Sequence, residues 1–490
     1  MAIASKLVKH LFKPAPQPNL NPYWYWLQGI ALSLSWSSIF VPAAAGGLMI
    51  TFLWRRGWRE LDTVVNRGWL GFAGWIVITI AFAHDKGSAL SGSVLFLPFL
   101  LLFAITAAII RTAAQLKHFL WLLTLSTIPV GIMGILQAVI NRPDWIVPRL
   151  FKGYFVTFGL SNDGRVDSIF GYYNEAGIYL AMLLPIIAYF VLGKHKPTSA
   201  DAVSSAPDPD LEVTSDRPKW YENKRLWAIF ALVISLATIY LTKSRNAWGL
   251  AIVAIFSLAA YYRYWLIVVL LMLAALVIGW AVLGPIFGFG GEWLRSLLPS
   301  AIIDRLVSTI DPNQQDFGST SERLNAWQFA LKLIATRPIS GWGLFNFVLV
   351  APLFNYDLLG LKHEHNFFLS ITVGLGIPGL LALLGMWGWV SWLGWRAASD
   401  RHDKSTKDAI VMALMGFLLY LLSGFLDVIY NEPRINMLSW MLLAAVYGVS
   451  RSLSQTPVLD PALNYADADR APLAPDRSRQ DERDDNGQSA

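Results

Sequence analysis

The chain has 490 residues, of which 55% are hydrophobic and only 15% charged. With repeated apolar runs near bilayer-spanning length, that balance excludes a water-soluble globular domain and defines an all-α, polytopic membrane protein. The formal charge of +6 is dispersed and accompanied by no nucleic-acid motif, and the absence of cysteine excludes disulfides, thiolate metal sites and a cysteine nucleophile.

Residues 1–23 carry Lys6, Lys9 and Lys13 and have no small-residue cleavage site behind a short apolar core, so they read as an uncleaved cytoplasmic tail. Apolar runs then occur at 24–39, 40–54, 69–83, 92–110, 119–139, 174–193, 226–241, 247–262, 264–284, 367–394, 409–426 and 434–450. These make about twelve transmembrane helices in one domain, 24–450, with the first two sharing a single stretch. Runs 247–262 and 264–284 are parted only by Arg263, yet together exceed one crossing.

Charge sets the orientation. With the amino terminus inside, the cytoplasmic connections hold Arg55, Arg56, Arg59, Arg67, Arg111, Lys117, Arg396, Arg401, Lys404 and Lys407. The first exported connection has no Lys or Arg, and the second has only Lys86. Both termini of this plasma (inner) membrane protein then lie in the cytoplasm. Residues 194–225, rich in Ser, Pro and Asp, read as a flexible cytoplasmic insertion, and 451–490 as a disordered cytoplasmic tail.

Residues 285–366 form a long exported loop, a length that usually marks function. Ser319-Thr320-Ser321-Glu322 fits a capping box, and Leu324, Trp327, Leu331 and Ile334 follow at helical spacing. The expected product is an amphipathic helix lying on the outer membrane surface or against the bundle, ended by Pro338 and followed by a tight turn at Gly341-Trp342-Gly343.

Exported basic residues break the charge rule. The hinge Thr242-Lys243-Ser244-Arg245-Asn246 holds two cations where short exported loops usually have none. Arg165 and Asn174 precede the sixth span, Arg323 opens the loop helix, and His365 precedes the tenth span. Singly, such arginines snorkel to headgroups and such a histidine is an interfacial polar residue. Together, guanidinium groups at one membrane face suit a diphosphate whose lipid tail lies in the bilayer. A histidine beside them can take a proton from an attacking hydroxyl near neutral pH. Arginines stabilising a departing diphosphate, with a base for the acceptor, compose a metal-free glycosyl-transfer site. His363 and His365 stand at i and i+2 rather than at the i and i+4 of a helical zinc pair, and the sequence offers no third ligand, so neither metal nor other cofactor is expected.

The motifs then take a familiar form. Thr242-Lys243-Ser244-Arg245-Asn246-Ala247-Trp248-Gly249 resembles the T-x-S-R-x-x-W/L signature of the O-antigen ligase and polymerase superfamily. Glu322–Trp327 with Arg337–Gly343 resembles its second motif, His365–Leu369 with Gly374–Leu380 its third, and Arg165–Asn174 a further segment. The resemblance runs through 160–385. It implies a GT-C-like membrane fold and an inverting, metal-independent transferase working at the periplasmic face. The implied partners are an undecaprenyl-diphosphate-linked oligosaccharide donor, a lipid A-core or other glycan acceptor, and membrane lipids. Carried over by motif, Arg245 and Arg323 would hold the diphosphate and His365 would serve as base, with Arg165 and Asn174 in support of the donor. The superfamily also includes polysaccharide polymerases, which differ in acceptor. Asn355-Tyr356-Asp357 and Asn431-Glu432-Pro433-Arg434 resemble a branch labelled as bicarbonate transporters. A transporter would place ionisable groups and broken helices near the bilayer midplane, whereas here the charges gather at span ends.

Overall fold

The computed structural model describes residues 11–37, 39–140, 164–193, 223–298, 303, 304, 306, 307, 309, 318–358, 360–400 and 403–455. Among these every regular element is helical. Each expected apolar run is found as a helix. Among the described residues, eight helices are long and apolar enough to cross a membrane by length and composition alone. The other four of the expected twelve fall to helices that are shorter or more polar.

The amino-terminal half comprises α1 (Asn21–Ser33), α2 (Phe40–Arg56), α3 (Val64–Phe82), α4 (Lys86–Ser93), α5 (Leu97–Ile109) and α6 (Ala113–Ile140). Helices α4 and α5 run on as a single candidate span, Lys86–Ile109. There follow α7 (Tyr173–Leu192), α8 (Lys224–Leu241), α9 (Arg245–Tyr261) and α10 (Trp265–Phe287). The long loop contains α11 (Glu292–Leu297), α12 (Gly318–Thr336) and α13 (Phe347–Val350). The chain closes with α14 (Phe367–Ser399), α15 (Lys404–Ser423) and α16 (Pro433–Gln455). The last helix thus continues four residues past Arg451, into the segment read as tail, while 456–490 and the insertion 194–222 lie outside the described residues.

Helix α7 is the centre of the bundle, packed by α6, α8, α9 and α15 and buried along almost its whole length. Lipid tails are as apolar as leucine, so membrane helices associate through close packing rather than hydrophobic exclusion, and small residues set the approach. A Cβ on Gly177 would sit 2.4 Å from the Ala247 Cβ, so α7 and α9 touch one turn below Asn174 and Arg245. Helix α10 lies outermost, with only 17% of its apolar window buried, and turns its surface to lipid. It follows α9 through a reversal at Arg263, which holds φ at +61°.

Helix α14 is broken. Gly376 has φ +74° and ψ 174° inside it, and a Cβ there would lie 1.9 Å from the Ile339 carbonyl oxygen. The loop repairs the gap: Trp342 N–H donates to Val373 O (2.7 Å), Gly343 N–H to Gly374 O (3.0 Å) and Ile377 N–H to Pro338 O (2.8 Å). Interrupted backbone within a membrane protein persists only where protein satisfies its polar groups, and the Gly341-Trp342-Gly343 turn does so. His84 N–H joins the same layer by donating to Trp342 O (3.0 Å).

The loop helix corrects one expectation. Helix α12 forms where the pattern placed it and stops at Thr336, ahead of Pro338. Its buried face, however, is Ala326, Phe329, Ala330 and Leu333, packed on Trp342, Phe347, Val350 and Val373. Leu324 and Leu331 of the expected stripe are 46% and 58% exposed, and Trp327 and Ile334 are half-buried. The helix is apolar on two sides, and hydropathy alone does not say which side meets protein. The side chain of Ser319, the expected cap, lies outside the described set.

Candidate active site

The end of the bundle that carries the long loop collects the hinge 242–246, the start of α7, the start of α14 and the connection between α15 and α16. The hinge is shaped locally. Thr242 Oγ1 donates back to Ile239 O (2.7 Å) and accepts from Ser244 N–H (3.2 Å), while Lys243 adopts φ +50°. Ser244 is the N-cap of α9, its hydroxyl accepting from Ala247 N–H (3.2 Å) and donating to Asn174 Oδ1 (2.6 Å). Arg245 therefore occupies the first position of α9, where a cation opposes the helix dipole. Its placement needs a reason other than capping.

The reason is a cavity of about 1080 Å³ lined by Arg165, Asn174, Lys243, Arg245, Glu322 and Arg323 at its polar end. Leu236, Ile239, Trp248, Ile252, Ile278 and Val282, from α8, α9 and α10, make a continuous apolar wall. Arg245 Nη1 donates to Thr309 Oγ1 (2.5 Å), tying the hinge to the long loop. Arg323, in the second turn of α12, reaches the same chamber from the loop side. The Arg165 guanidinium lies 4.2 Å over the ring of Tyr173. Four of the five expected site residues thus share one cavity, though they come from segments up to 158 positions apart in the chain.

His365 is not in the cavity wall. It is linked to the cavity through Asp427, which contacts Asn174 of the lining and follows Leu426, another lining residue. Asn174 Nδ2 donates to Asp427 Oδ2 (3.3 Å), and Asp427 Oδ1 lies 3.6 Å from His365 Nδ1, just beyond direct hydrogen-bond distance. Asn366 enforces this meeting. Its side-chain oxygen accepts from Leu369 N–H (3.0 Å) to cap α14, and its Nδ2 donates to Phe425 O (3.0 Å). Phe367 N–H donates to Gly424 O (2.7 Å), which pins the two loops together. His365 itself holds φ +49°, a left-handed conformation unusual for a residue with a side chain and one that gathers at functional sites.

Electrostatics follow from burial. Burial works against ionisation of Asp427, but the His365 contact, the charges of His365 and His363 and the Val428 N–H outweigh it and hold the carboxyl below its usual range. Burial, with the neighbouring His365, lowers the His363 imidazole to about 4, so it is neutral at physiological pH. Burial pushes Glu364 up to about 7 and raises the Tyr172 hydroxyl well above its ordinary value. A carboxylate opposite Nδ1 favours the tautomer protonated there and leaves Nε2 with the lone pair.

Asp427 was not anticipated from sequence. Its signal was available: an acidic residue in a short connection between apolar spans, at the same end of the bundle as the arginines. Its arrival also removes one argument against a metal. His363, His365 and Asp427 offer ligand atoms within 4.8 Å of one another, so the fold supplies the third ligand that the i, i+2 spacing lacked. The arrangement can hold a divalent cation, and equally is a histidine oriented by a carboxylate. Asn431-Glu432-Pro433-Arg434 has a separate task. Arg434 is buried, pairs with Glu432 (2.5 Å) and donates to Ser35 O (3.2 Å) and Ile169 O (3.0 Å), locking α16 to the segment before α7.

These features define a polytopic helical membrane protein with a cationic, half-apolar chamber at one end of its bundle. Residues 230–384 match the family model Wzy_C, described as O-antigen ligase. The match includes Arg245, Arg323 and His365, with Arg165, Asn174 and Asp427 contributed from outside it. A comparison with curated proteins gives no match.

Proposed function

We propose that the chain is an envelope glycosyltransferase of ligase type, passing a glycan from an undecaprenyl-diphosphate donor to an acceptor hydroxyl at the periplasmic face of the inner membrane. The observation that carries this reading is the chamber itself. Arg165, Arg245 and Arg323, with Lys243 and Glu322 beside them, line the same cavity as an apolar wall from α8, α9 and α10, the complement of an amphiphile with an anionic head. Arg245 and Arg323 grip the diphosphate through paired donors, and Arg165 and Asn174 support the donor and the loop geometry. His365, backed by Asp427, takes the proton of the acceptor hydroxyl. The acceptor oxygen attacks the anomeric carbon from the face opposite the diphosphate. The glycosidic bond forms as the bond to diphosphate breaks, configuration inverts, and undecaprenyl diphosphate leaves with its charge held by the two arginines.

In this reading the guanidinium groups supply the charge stabilisation and no metal takes part. The loop end of the bundle faces the periplasm and both termini face the cytoplasm, in keeping with the arginines that collect at the other end. A polymerase of the same superfamily would use the same donor chemistry with another acceptor.

The test is transfer by the purified protein from a lipid-linked oligosaccharide. Arg245→Ala, Arg323→Ala and His365→Ala should each abolish product while leaving insertion and protein level intact, and a chelator should leave the wild-type rate unchanged. Full transfer by Arg245→Ala, or uptake of labelled bicarbonate into proteoliposomes without any transfer, overturns the proposal. Loss of activity to the chelator, restored by added metal, would instead make His363, His365 and Asp427 a metal centre.

A further inference from the structure

A second built site lies at the opposite end of the bundle. Helix α3 starts at Val64 and finishes at Phe82, next to the loop layer at His84 and Trp342, so the end of α2 and the starts of α3 and α6 lie at the far face. Four arginines from separate elements meet there around a cavity of about 590 Å³: Arg56 from α2, Arg59 from the turn after it, Arg111 before α6 and Arg451 in α16. Two carboxylates share the cavity, and both are engaged. Glu60 takes Arg56 (2.9 Å) and Arg111 (3.5 Å), and Asp62 is held in a two-bond fork by Arg67 (2.8 and 2.9 Å). Among the described residues neither Arg59 nor Arg451 has an ion pair.

Beside this polar cavity lies an apolar one of about 610 Å³, and Arg59 and Asp62 border both. Its walls are Trp69, Leu70 and Ala73 of α3 facing Leu97, Leu100 and Leu101 of α5. Leu70 is 67% exposed and only 28% of the apolar window of α3 is buried, so the groove opens laterally, where lipid tails run. Trp58, 65% exposed at its mouth, is placed as an interfacial anchor.

We propose that this pair of cavities is a binding site for an acidic phospholipid, with the phosphate-bearing headgroup among Arg59, Arg111 and Arg451 and an acyl chain along the α3–α5 groove. Arginine cradles phosphate through paired donors, and basic pockets between spans recognise anionic headgroups. A zwitterionic headgroup fits less well, because both carboxylates that would meet its ammonium are already occupied. The shared polar and apolar boundary distinguishes a lipid from a free phosphate, which would need only the arginine pocket. The site is independent of the transfer reaction.

The experiment is native mass spectrometry of the full-length protein in detergent, titrated with phosphatidylglycerol, phosphatidylethanolamine or glycerol 3-phosphate. Phosphatidylglycerol should bind, and Arg59→Gln with Arg451→Gln should weaken it about thirtyfold, the loss expected for two charge contacts. Arg55→Gln with Arg225→Gln removes the same charge outside the pocket and should leave binding unchanged. Equal loss in both double variants would reduce the effect to general surface potential and overturn the site. Retention of phosphatidylglycerol by Arg59→Gln/Arg451→Gln overturns it too, as does equal binding of phosphatidylethanolamine. Competition by glycerol 3-phosphate at the lipid's own affinity would show a free-anion site instead. The melting profile of each variant confirms that it is folded before its binding is read.

Discussion

Replacing Asp427 by Asn probes the arrangement behind the cavity wall. The substitution keeps shape and removes one charge 3.6 Å from His365 Nδ1. Two unit charges at that separation interact by ~4 kcal/mol at an effective dielectric near 20. The two side chains are 17% and 13% exposed, so solvent screens them only in part. In the proposed reaction the carboxylate is worth most when His365 becomes an imidazolium, on accepting the acceptor's proton. Between half and all of the interaction then enters the barrier, a fall of roughly 30- to 1000-fold in kcat. KM for the lipid-linked donor should change little, because the arginine end of the cavity is untouched. The assay is steady-state transfer by purified Asp427→Asn beside the wild type, with melting temperature as a control for folding. A variant that keeps more than a third of the wild-type kcat would refute Asp427 as the group that orients and balances His365. A rise in KM at constant kcat would place it with the donor instead.

Arg245→Lys and Arg323→Lys keep the charge but lose the planar fork, and each should cost at least about tenfold in kcat/KM for the donor; Lys variants at wild-type rate would show that point charge suffices. Gly376→Ala forces a Cβ against the Ile339 carbonyl at φ +74°, so it should destabilise the protein by roughly 2 kcal/mol or more and lower its melting temperature. Asp403 caps α15 by accepting from Ser405 and Thr406 N–H and lies 3.5 Å from Lys117. Burial opposes its ionisation, and the Thr406 hydroxyl, Lys117 and the backbone donors outweigh burial and keep its carboxyl below the usual range. With a depressed folded-state pKa, that stabilisation is complete above the ordinary value and is lost as pH falls through the folded one. Asp403→Ala should therefore melt earlier than the wild type at neutral pH, by about 1 kcal/mol, with the difference closing on acidification below ~pH 3.9.

Much of this protein is legible in one dimension. Spans follow from runs of apolar residues, since a lipid-facing helix must satisfy its backbone internally and cover itself with apolar side chains. The site arginines are visible because, by span count, they break the charge rule that the remaining loops obey, and Pro338 marks the end of the loop helix by its own backbone chemistry, whereas the break at Gly376 lies inside what reads as one unbroken apolar run. What the tertiary structure alone decided is adjacency. No periodicity tells which apolar side of α12 packs against Trp342 and which faces outward, because both sides carry apolar residues at helical spacing and the buried one is built on the smaller Ala326 and Ala330. Asp427 and His365 lie 62 positions apart and meet only because Asn366 and Phe367 bind the backbone at Phe425 and Gly424. Likewise, four arginines at the far face form one pocket only once α2, α6 and α16 are brought together. Local energies of residues and turns are written along the chain; the convergence of charges depends on packing between distant segments.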